Sequence, residues 1–93
     1  LINSNHYHSY YLYVLKHKKR DNVIKYLKEN NVFVNISYPY PIHTMKGFSF
    51  LNNKEGDLPV TEQLSKEIFS LPMYPKLSLN DQLRVVKLIN EVE

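Results

Sequence analysis

The chain has 93 residues, and its 12 lysines and arginines against 9 aspartates and glutamates give a formal net charge of +3. This length suits one small domain with a modest core, so we assign residues 1–93 to a single domain. The absence of cysteine excludes disulfide frameworks and cysteine-based zinc modules. Without an apolar run of roughly 18 residues or a signal-peptide pattern, we expect a cytoplasmic protein with no membrane partner. Because the chain starts at Leu1 and not at methionine, we also expect a fragment of a longer protein.

The first half of the chain predicts a strand, a helix and a second strand. Residues 8–15, with the sequence HSYYLYVL, are rich in aromatic and β-favouring residues and predict the first strand. Residues 20–31 predict the helix, because apolar side chains recur at helical spacing and Asn30 and Asn31 suit its end. The β-branched run at residues 32–36 predicts the second strand.

The second half begins with a long loop, predicted over residues 37–56, and about 20 residues is long for a compact domain. A helix follows, for which Asp57 is a candidate cap and Pro59 suits the first turn. The apolar residues that predict one face of this helix are Val60, Leu64, Ile68 and Leu71. Residues 71–75 are bracketed by prolines, so they predict a short edge strand or an extended connector.

The final helix is predicted to start at Ser78, which with Asp81 resembles a capping box. The residues predicted to share its apolar face are Leu79, Leu83, Val86, Leu88 or Ile89, and Val92. The predicted order is therefore β-α-β, long loop, α, short β, α. This order indicates the α+β class: a small two-layer domain in which about three helices cover a short, mostly antiparallel sheet.

Two histidines near the amino terminus are candidates for a metal site. His6 and His8 stand two residues apart, so on a strand they would project from the same face. A third ligand has no recognisable spacing, and the chain has no HExxH motif. We therefore favour polar residues at a strand entrance and assign no metal ligand.

Other catalytic and phosphate-binding motifs are also missing from the sequence. No serine lies in a GxSxG elbow, and two glycines form neither a Walker loop nor a GxGxxG turn. We assign no catalytic residue and no cofactor-binding residue to this segment. The basic run at residues 16–20 beside the aromatic strand leaves an RNA-binding domain as an alternative. Because the RRM and KH patterns are absent, we favour a solvated surface and expect no nucleic-acid partner.

The most informative segment is residues 36–43, with the sequence ISYPYPIH. Two prolines stiffen its backbone, which would present a phenol and an imidazole from a long loop. Such a loop suits ligand binding, but it also suits a stiff surface loop whose tyrosines pack on the domain. The residues alone leave both interpretations open.

Three segments, each weak alone, carry a resemblance to a known family. They are HSYYLYVL at residues 8–15 with the RD and YLK that follow it, YPYPIH at residues 38–43, and LPVTEQL at residues 58–64 with the IFSLPMYP that follows it. In this order and spacing, the chain resembles the carboxy-terminal small domain of the DegT/DnrJ sugar aminotransferases. The resemblance implies the aspartate-aminotransferase fold, known as fold type I.

The resemblance implies an enzyme that transfers an amino group, usually from glutamate, to a nucleotide-linked keto-sugar in polysaccharide biosynthesis. The pyridoxal phosphate and the catalytic lysine would belong to a preceding large domain of a homodimeric enzyme. This segment alone would bind no cofactor and would be inactive. A free-standing regulatory or binding module is the alternative, because some members of the family were first described as regulatory proteins.

By match to the tyrosine-proline-x-proline-x-histidine pattern of that family, Tyr38 and His43 are the residues expected to line the sugar-nucleotide pocket. Tyr40 and His8 are further candidates. The resemblance thus implies a role in substrate binding for this segment, as one wall of the pocket.

Overall fold

The computed structural model describes residues 4–92, and its sheet consists of two short antiparallel strands. Strand β1 spans Tyr13–Lys16 and strand β2 spans Ile68–Leu71. The pairing places Tyr13 opposite Leu71, at the outer end of the ladder. A short antiparallel sheet accompanied by helices agrees with the predicted α+β class.

The two strands predicted in the first half are only partly present. The first begins at Tyr13, because the backbone of Tyr10 has a φ of 53° and interrupts the extended conformation expected over residues 8–15. The second, over residues 32–36, is reduced to one bridge between Asn35 and Ser70. The prediction of two full strands was therefore wrong, although Asn35 does extend the sheet on the far side of β2.

Within residues 4–92, three α-helices and two short 3-10 helices complete the fold. Helix α1 spans Arg20–Glu29, α2 spans Pro59–Glu67 and α3 spans Leu79–Asn90. The predicted long loop contains the 3-10 helices, at Ile42–Thr44 and Lys46–Leu51. In the described part of the chain, none of the helices is long and apolar enough to cross a membrane.

Helix α2 ends earlier than its apolar spacing predicted. Its last residue is Glu67, and Ile68 is already extended, with φ −89° and ψ 147°. Ile68 and Leu71 lie in β2, so the predicted four-residue face was wrong. Ile68 and Leu71 form a strand and not a helix because they pair with Lys16 and Tyr13 of β1. Tertiary contacts of this kind override the local helical spacing.

The start of α3 is confirmed, but its buried face is shifted from the prediction. The Asp81 N–H donates to the Ser78 hydroxyl oxygen over 3.1 Å, and that hydroxyl donates to the Asp81 carboxylate over 2.6 Å. Val85 and Leu88 face the core. The apolar residues of α3 that remain exposed are Leu79, Leu83 and Val86.

The core lies between β2, α1 and α3. Its buried members are Val23, Leu27, Val32, Phe69, Val85 and Leu88. Polar contacts hold the two helices together around it: the Tyr26 hydroxyl donates to the Glu91 carboxylate over 2.9 Å, and Arg84 donates to the Asn30 carbonyl oxygen. One face of β2 therefore packs against α1 and α3.

A buried carboxylate lies where α2 passes into β2. The side-chain amide of Gln63 donates to Glu67 over 3.0 Å, and the Lys16 ammonium lies 3.5 Å from Glu67 Oε2. Lys16 belongs to the basic run that offered the RNA-binding alternative, and here it pairs with a buried acid. At least Lys16 of the basic run therefore stabilises the fold.

An open apolar groove separates the end of the sheet from α3, and its volume is about 640 Å³. Tyr13 and Leu71 line it from the sheet, Met73 from the connector after β2, and Val86 and Ile89 from α3. The exposed stripe Leu79, Leu83 and Val86 continues this surface along the helix. We call the groove and this stripe together the apolar groove surface.

Candidate functional site

The Tyr-Pro loop enters a tight turn that directs a histidine inward. Pro41 is extended, with φ −62° and ψ 135°, and it caps the 3-10 helix Ile42–Thr44. The Thr44 N–H and hydroxyl both donate to the Pro41 carbonyl oxygen, over 3.1 and 2.9 Å. The turn leaves His43 only 7% exposed. The imidazole is thus held by the fold.

The buried imidazole meets a carboxylate from helix α2. His43 Nε2 lies 2.8 Å from Glu62 Oε1, and both side chains are largely enclosed. The Gly56 N–H donates to both Glu62 oxygens, over 2.8 and 3.0 Å, and the Leu58 N–H donates to Oε1 over 3.3 Å. One carboxylate therefore joins the Tyr-Pro loop, the loop before α2, and the start of α2.

The loop before α2 is shaped for this contact. Gly56 has a φ of +96°, a conformation that disfavours other residues, and it turns its N–H toward Glu62. Leu58 is the N-cap residue and lacks a capping side chain. The prediction of Asp57 as the cap was wrong, because its carboxylate accepts the Lys54 N–H over 2.8 Å. Glu62 instead accepts from the N–H of the N-cap residue Leu58 and from the N–H of Gly56, two residues before it.

The hydrogen bond from His43 holds the pKa of Glu62 below its ordinary value. Burial opposes this shift, and the Gly56 and Leu58 N–H groups reinforce it. The carboxylate is therefore ionised at neutral pH and only accepts hydrogen bonds.

The two tyrosines of the loop point away from the core. Tyr38 is 67% exposed and Tyr40 is 68% exposed, so the alternative in which they pack on the domain does not hold. Tyr38 lies beside a small pocket of about 40 Å³, which Ile36 and Ser70 also line. Both phenol groups are available to a ligand.

His8 lies in an irregular segment before β1. Its Nδ1 accepts the Tyr10 N–H over 2.9 Å, and the two rings are 4.7 Å apart. Because this segment is not a strand, the prediction that His6 and His8 share a strand face was wrong. Among residues 4–92, no group of three potential ligands could hold a metal ion.

The four residues predicted to bind substrate thus differ in their exposure and in their contacts. Tyr38 and Tyr40 are exposed, His43 is buried against Glu62, and His8 is exposed against Tyr10. In the described residues, neither hydrogen bonds nor ring contacts join these four candidates to each other. Their common role in substrate binding stays a prediction.

Sequence reasoning missed Glu62 as a member of this site. A glutamate in the first turns after a helix start often bonds back to free N–H groups, and that signal was present in the sequence. Its partner His43 is 19 residues away, across a loop whose path the sequence does not specify. The pairing therefore could be found only from the structure.

Stability of the chain should depend on pH through two carboxylates. The pKa of Glu62 is lowered by His43, and the pKa of Glu67 is lowered by the Gln63 hydrogen bond and by Lys16. A lowered folded-state pKa adds stability above the ordinary value of 4.5, which is lost as the pH falls through the folded-state pKa. We expect urea denaturation to give a smaller unfolding free energy at pH 3.5 than at pH 7.

The matched control for this pH dependence is Glu55, whose carboxylate has neither a hydrogen bond nor an ion pair within residues 4–92. Glu62→Gln and Glu67→Gln should each flatten the profile between these two pH values, whereas Glu55→Gln should leave it unchanged. An equally steep profile in the first two variants would contradict the assignment.

A model of the DegT/DnrJ/EryC1/StrS aminotransferase family matches residues 2–90 of this chain. The dTDP-3-amino-3,4,6-trideoxy-alpha-D-glucose transaminase of Micromonospora megalomicea subsp. nigra is 47% identical over 93 residues, which covers 99% of this chain and 25% of that protein. A pleiotropic regulatory protein of Geobacillus stearothermophilus is 40% identical over 85 residues, covering 91% of this chain and 23% of that protein.

The fold has a counterpart among solved structures. The crystal structure of S. venezuelae DesV in complex with a ketimine intermediate aligns with a TM-score of 0.80 and 28% sequence identity. The alignment covers 86% of this chain and 22% of DesV. The chain thus spans about a quarter of the length of the curated relatives it matches.

Proposed function

Because this chain belongs to the DegT/DnrJ/EryC1/StrS aminotransferase family, we propose that it is the carboxy-terminal small domain of a sugar aminotransferase. The complete enzyme would move an amino group from glutamate to a nucleotide-linked keto-sugar. The observation that carries this proposal is the 47% identity, along nearly the whole chain, with a dTDP-amino-sugar transaminase.

The residues that line the apolar groove do not fit the pyridoxal phosphate that the family implies. The cofactor requires a lysine for covalent attachment, an acid at its ring nitrogen and donors for its phosphate. The lysine lining the large groove is Lys16, which pairs with Glu67, and most of the other lining residues are apolar. We therefore assign the cofactor to a large domain elsewhere in the longer protein.

The apolar groove surface supports a contact between this domain and that large domain. A monomeric soluble protein rarely leaves a large apolar patch uncovered. Since about three quarters of the length of the relatives lies outside the matched region, the longer protein has enough chain to cover it. A homodimer of the complete enzyme belongs to the same proposal.

We place Tyr38, His43, Tyr40 and His8 on one wall of the sugar-nucleotide pocket. Two prolines and the turn at Thr44 stiffen the loop that carries the tyrosines, so ligand binding would order few additional torsions. Phenol groups can both donate to and accept from sugar hydroxyls. The chain would bind and orient the sugar, while the amino transfer takes place at the cofactor.

Tyr38→Phe in the full-length enzyme should raise the KM for the nucleotide sugar about two- to tenfold, because one hydrogen bond is lost. Steady-state kinetics with glutamate as donor would measure this. The control Tyr74→Phe makes the same change at the apolar groove and should leave KM unchanged. Equal KM values for Tyr38→Phe and the unmodified enzyme would remove Tyr38 from the pocket, whereas absence of amino transfer in the unmodified enzyme would refute the proposed function.

A non-catalytic regulatory module is the second candidate, and the name of the Geobacillus relative favours it. Light absorption by the full-length protein separates the two functions. An aminotransferase with bound pyridoxal phosphate absorbs near the visible edge, and a regulatory module without cofactor does not.

A further inference from the structure

Glu62 is the most highly bonded side chain near the proposed pocket, and nothing in the Tyr-Pro pattern includes it. It accepts hydrogen bonds from Gly56, Leu58 and His43. Its bonds to the Gly56 and Leu58 N–H groups hold the loop before α2, but they do not require the contact with His43. The contact with His43 is therefore the one to explain.

The contact with Glu62 determines which ring nitrogen of His43 carries the proton. An ionised carboxylate accepts hydrogen bonds and cannot donate them. The hydrogen at the 2.8 Å contact must then sit on His43 Nε2, so in the neutral ring Nδ1 has a free lone pair. Carboxylate partners fix histidine tautomers in this way in many protein sites.

The lone pair on Nδ1 is accessible. Among residues 4–92, hydrogen bonds to His43 involve Nε2 and leave Nδ1 without a protein partner. The fully enclosed side-chain nitrogen or oxygen atom without a hydrogen bond in this part of the chain is Glu67 Oε2. Nδ1 therefore still reaches the surface, although most of the ring is buried.

From this geometry we infer that Glu62 is a positioning residue, which holds His43 so that Nδ1 accepts a hydrogen bond from a hydroxyl of the sugar-nucleotide substrate. The inference rests on the proposed function. It also specifies the direction of the hydrogen bond: the hydroxyl of the substrate donates, and His43 accepts. Glu62 itself does not touch the substrate. It acts by fixing the orientation and the tautomer of the ring.

The test uses the full-length enzyme with glutamate and its nucleotide-linked keto-sugar. Glu62→Ala should raise the KM for the sugar about tenfold or more, because the buried ring loses its partner. Glu62→Gln keeps an acceptor oxygen for His43 and should recover part of that loss. The half-reaction with glutamate alone involves no sugar, so its rate should stay unchanged in both variants.

A double-mutant cycle distinguishes positioning from general support of the fold. If Glu62 acts through His43, then Glu62→Ala in a His43→Ala background should add no further increase in KM. The control Glu55→Ala, in the loop before α2, should match the unmodified enzyme. An unchanged KM in both Glu62 variants, or additive effects in the cycle, would overturn the inference.

The proposed function and this inference can fail separately. An unmodified enzyme that transfers no amino group to a sugar would refute the function and the inference with it. An active unmodified enzyme whose Glu62 variants keep the original KM would refute the inference alone. If Glu62→Ala is poorly folded, Glu62→Gln supplies the deciding comparison: its single acceptor oxygen replaces only part of the contacts of the carboxylate, so the KM for the sugar should still rise, and an unchanged KM would overturn the inference.

Discussion

Phe69→Ala is expected to lower the free energy of unfolding of the chain by about 3–5 kcal/mol. Phe69 is 1% exposed and lies on β2, where it packs into the cluster that includes Leu27 and Leu88. Its removal deletes buried apolar surface and leaves a cavity between the sheet and two helices. A domain of this size has a total stability of about 5–15 kcal/mol, so the loss is a large part of it. Chemical denaturation monitored by circular dichroism would measure the change.

The matched control is Phe33→Ala, because Phe33 is 67% exposed and lies outside this cluster. We expect a change within about 0.5 kcal/mol for this variant. If both substitutions cost the same, then Phe69 does not occupy the centre of the core.

The sequence predicted best those elements whose signals are local. The start of α3 is an example, since Ser78 and Asp81 form their hydrogen bonds within one helical turn. Helix α1 is another, because its apolar spacing and its terminal asparagines agree. Local signals of this kind depend little on the rest of the fold.

Predictions that depended on distant partners were less accurate. The apolar spacing predicted that α2 includes Ile68, but Ile68 lies in β2 and pairs with Lys16 of β1. The run at residues 32–36 has strong β propensity, yet one residue of it, Asn35, meets the sheet. Propensity indicates that a residue suits a strand, whereas the neighbour that completes the strand is set by tertiary packing.

The candidate site shows the same division. The prolines of the Tyr-Pro loop indicated a stiff segment, and the tyrosines are exposed as a binding loop requires. The burial of His43 and its bond to Glu62 depend on how the loop folds back on α2. No periodicity or motif in a single sequence encodes that contact.

The exposed face of α3 is apolar. A helix face with Leu79, Leu83 and Val86 at spacings of four and three normally packs against another element. In this chain these three side chains are exposed, and Val86 also lines the open groove. The apolar face predicted for α3 is therefore largely exposed, and we assign it to the contact with the large domain, whereas the core face that includes Val85 was not predicted.

Val86→Asp should consequently have opposite effects in the isolated chain and in the longer protein. In the 93-residue chain Val86 is 52% exposed, so the unfolding free energy should change by less than about 1 kcal/mol, and binding of a hydrophobic dye should decrease. In the longer protein the new carboxylate would be buried in the domain contact, at a cost of about 2 kcal/mol or more, with a lower melting temperature and increased dye binding. Val60→Asp makes the same change at an exposed position on α2 outside the groove and should have little effect in either protein. If the longer protein tolerates Val86→Asp as well as Val60→Asp, the large domain does not cover the apolar groove surface.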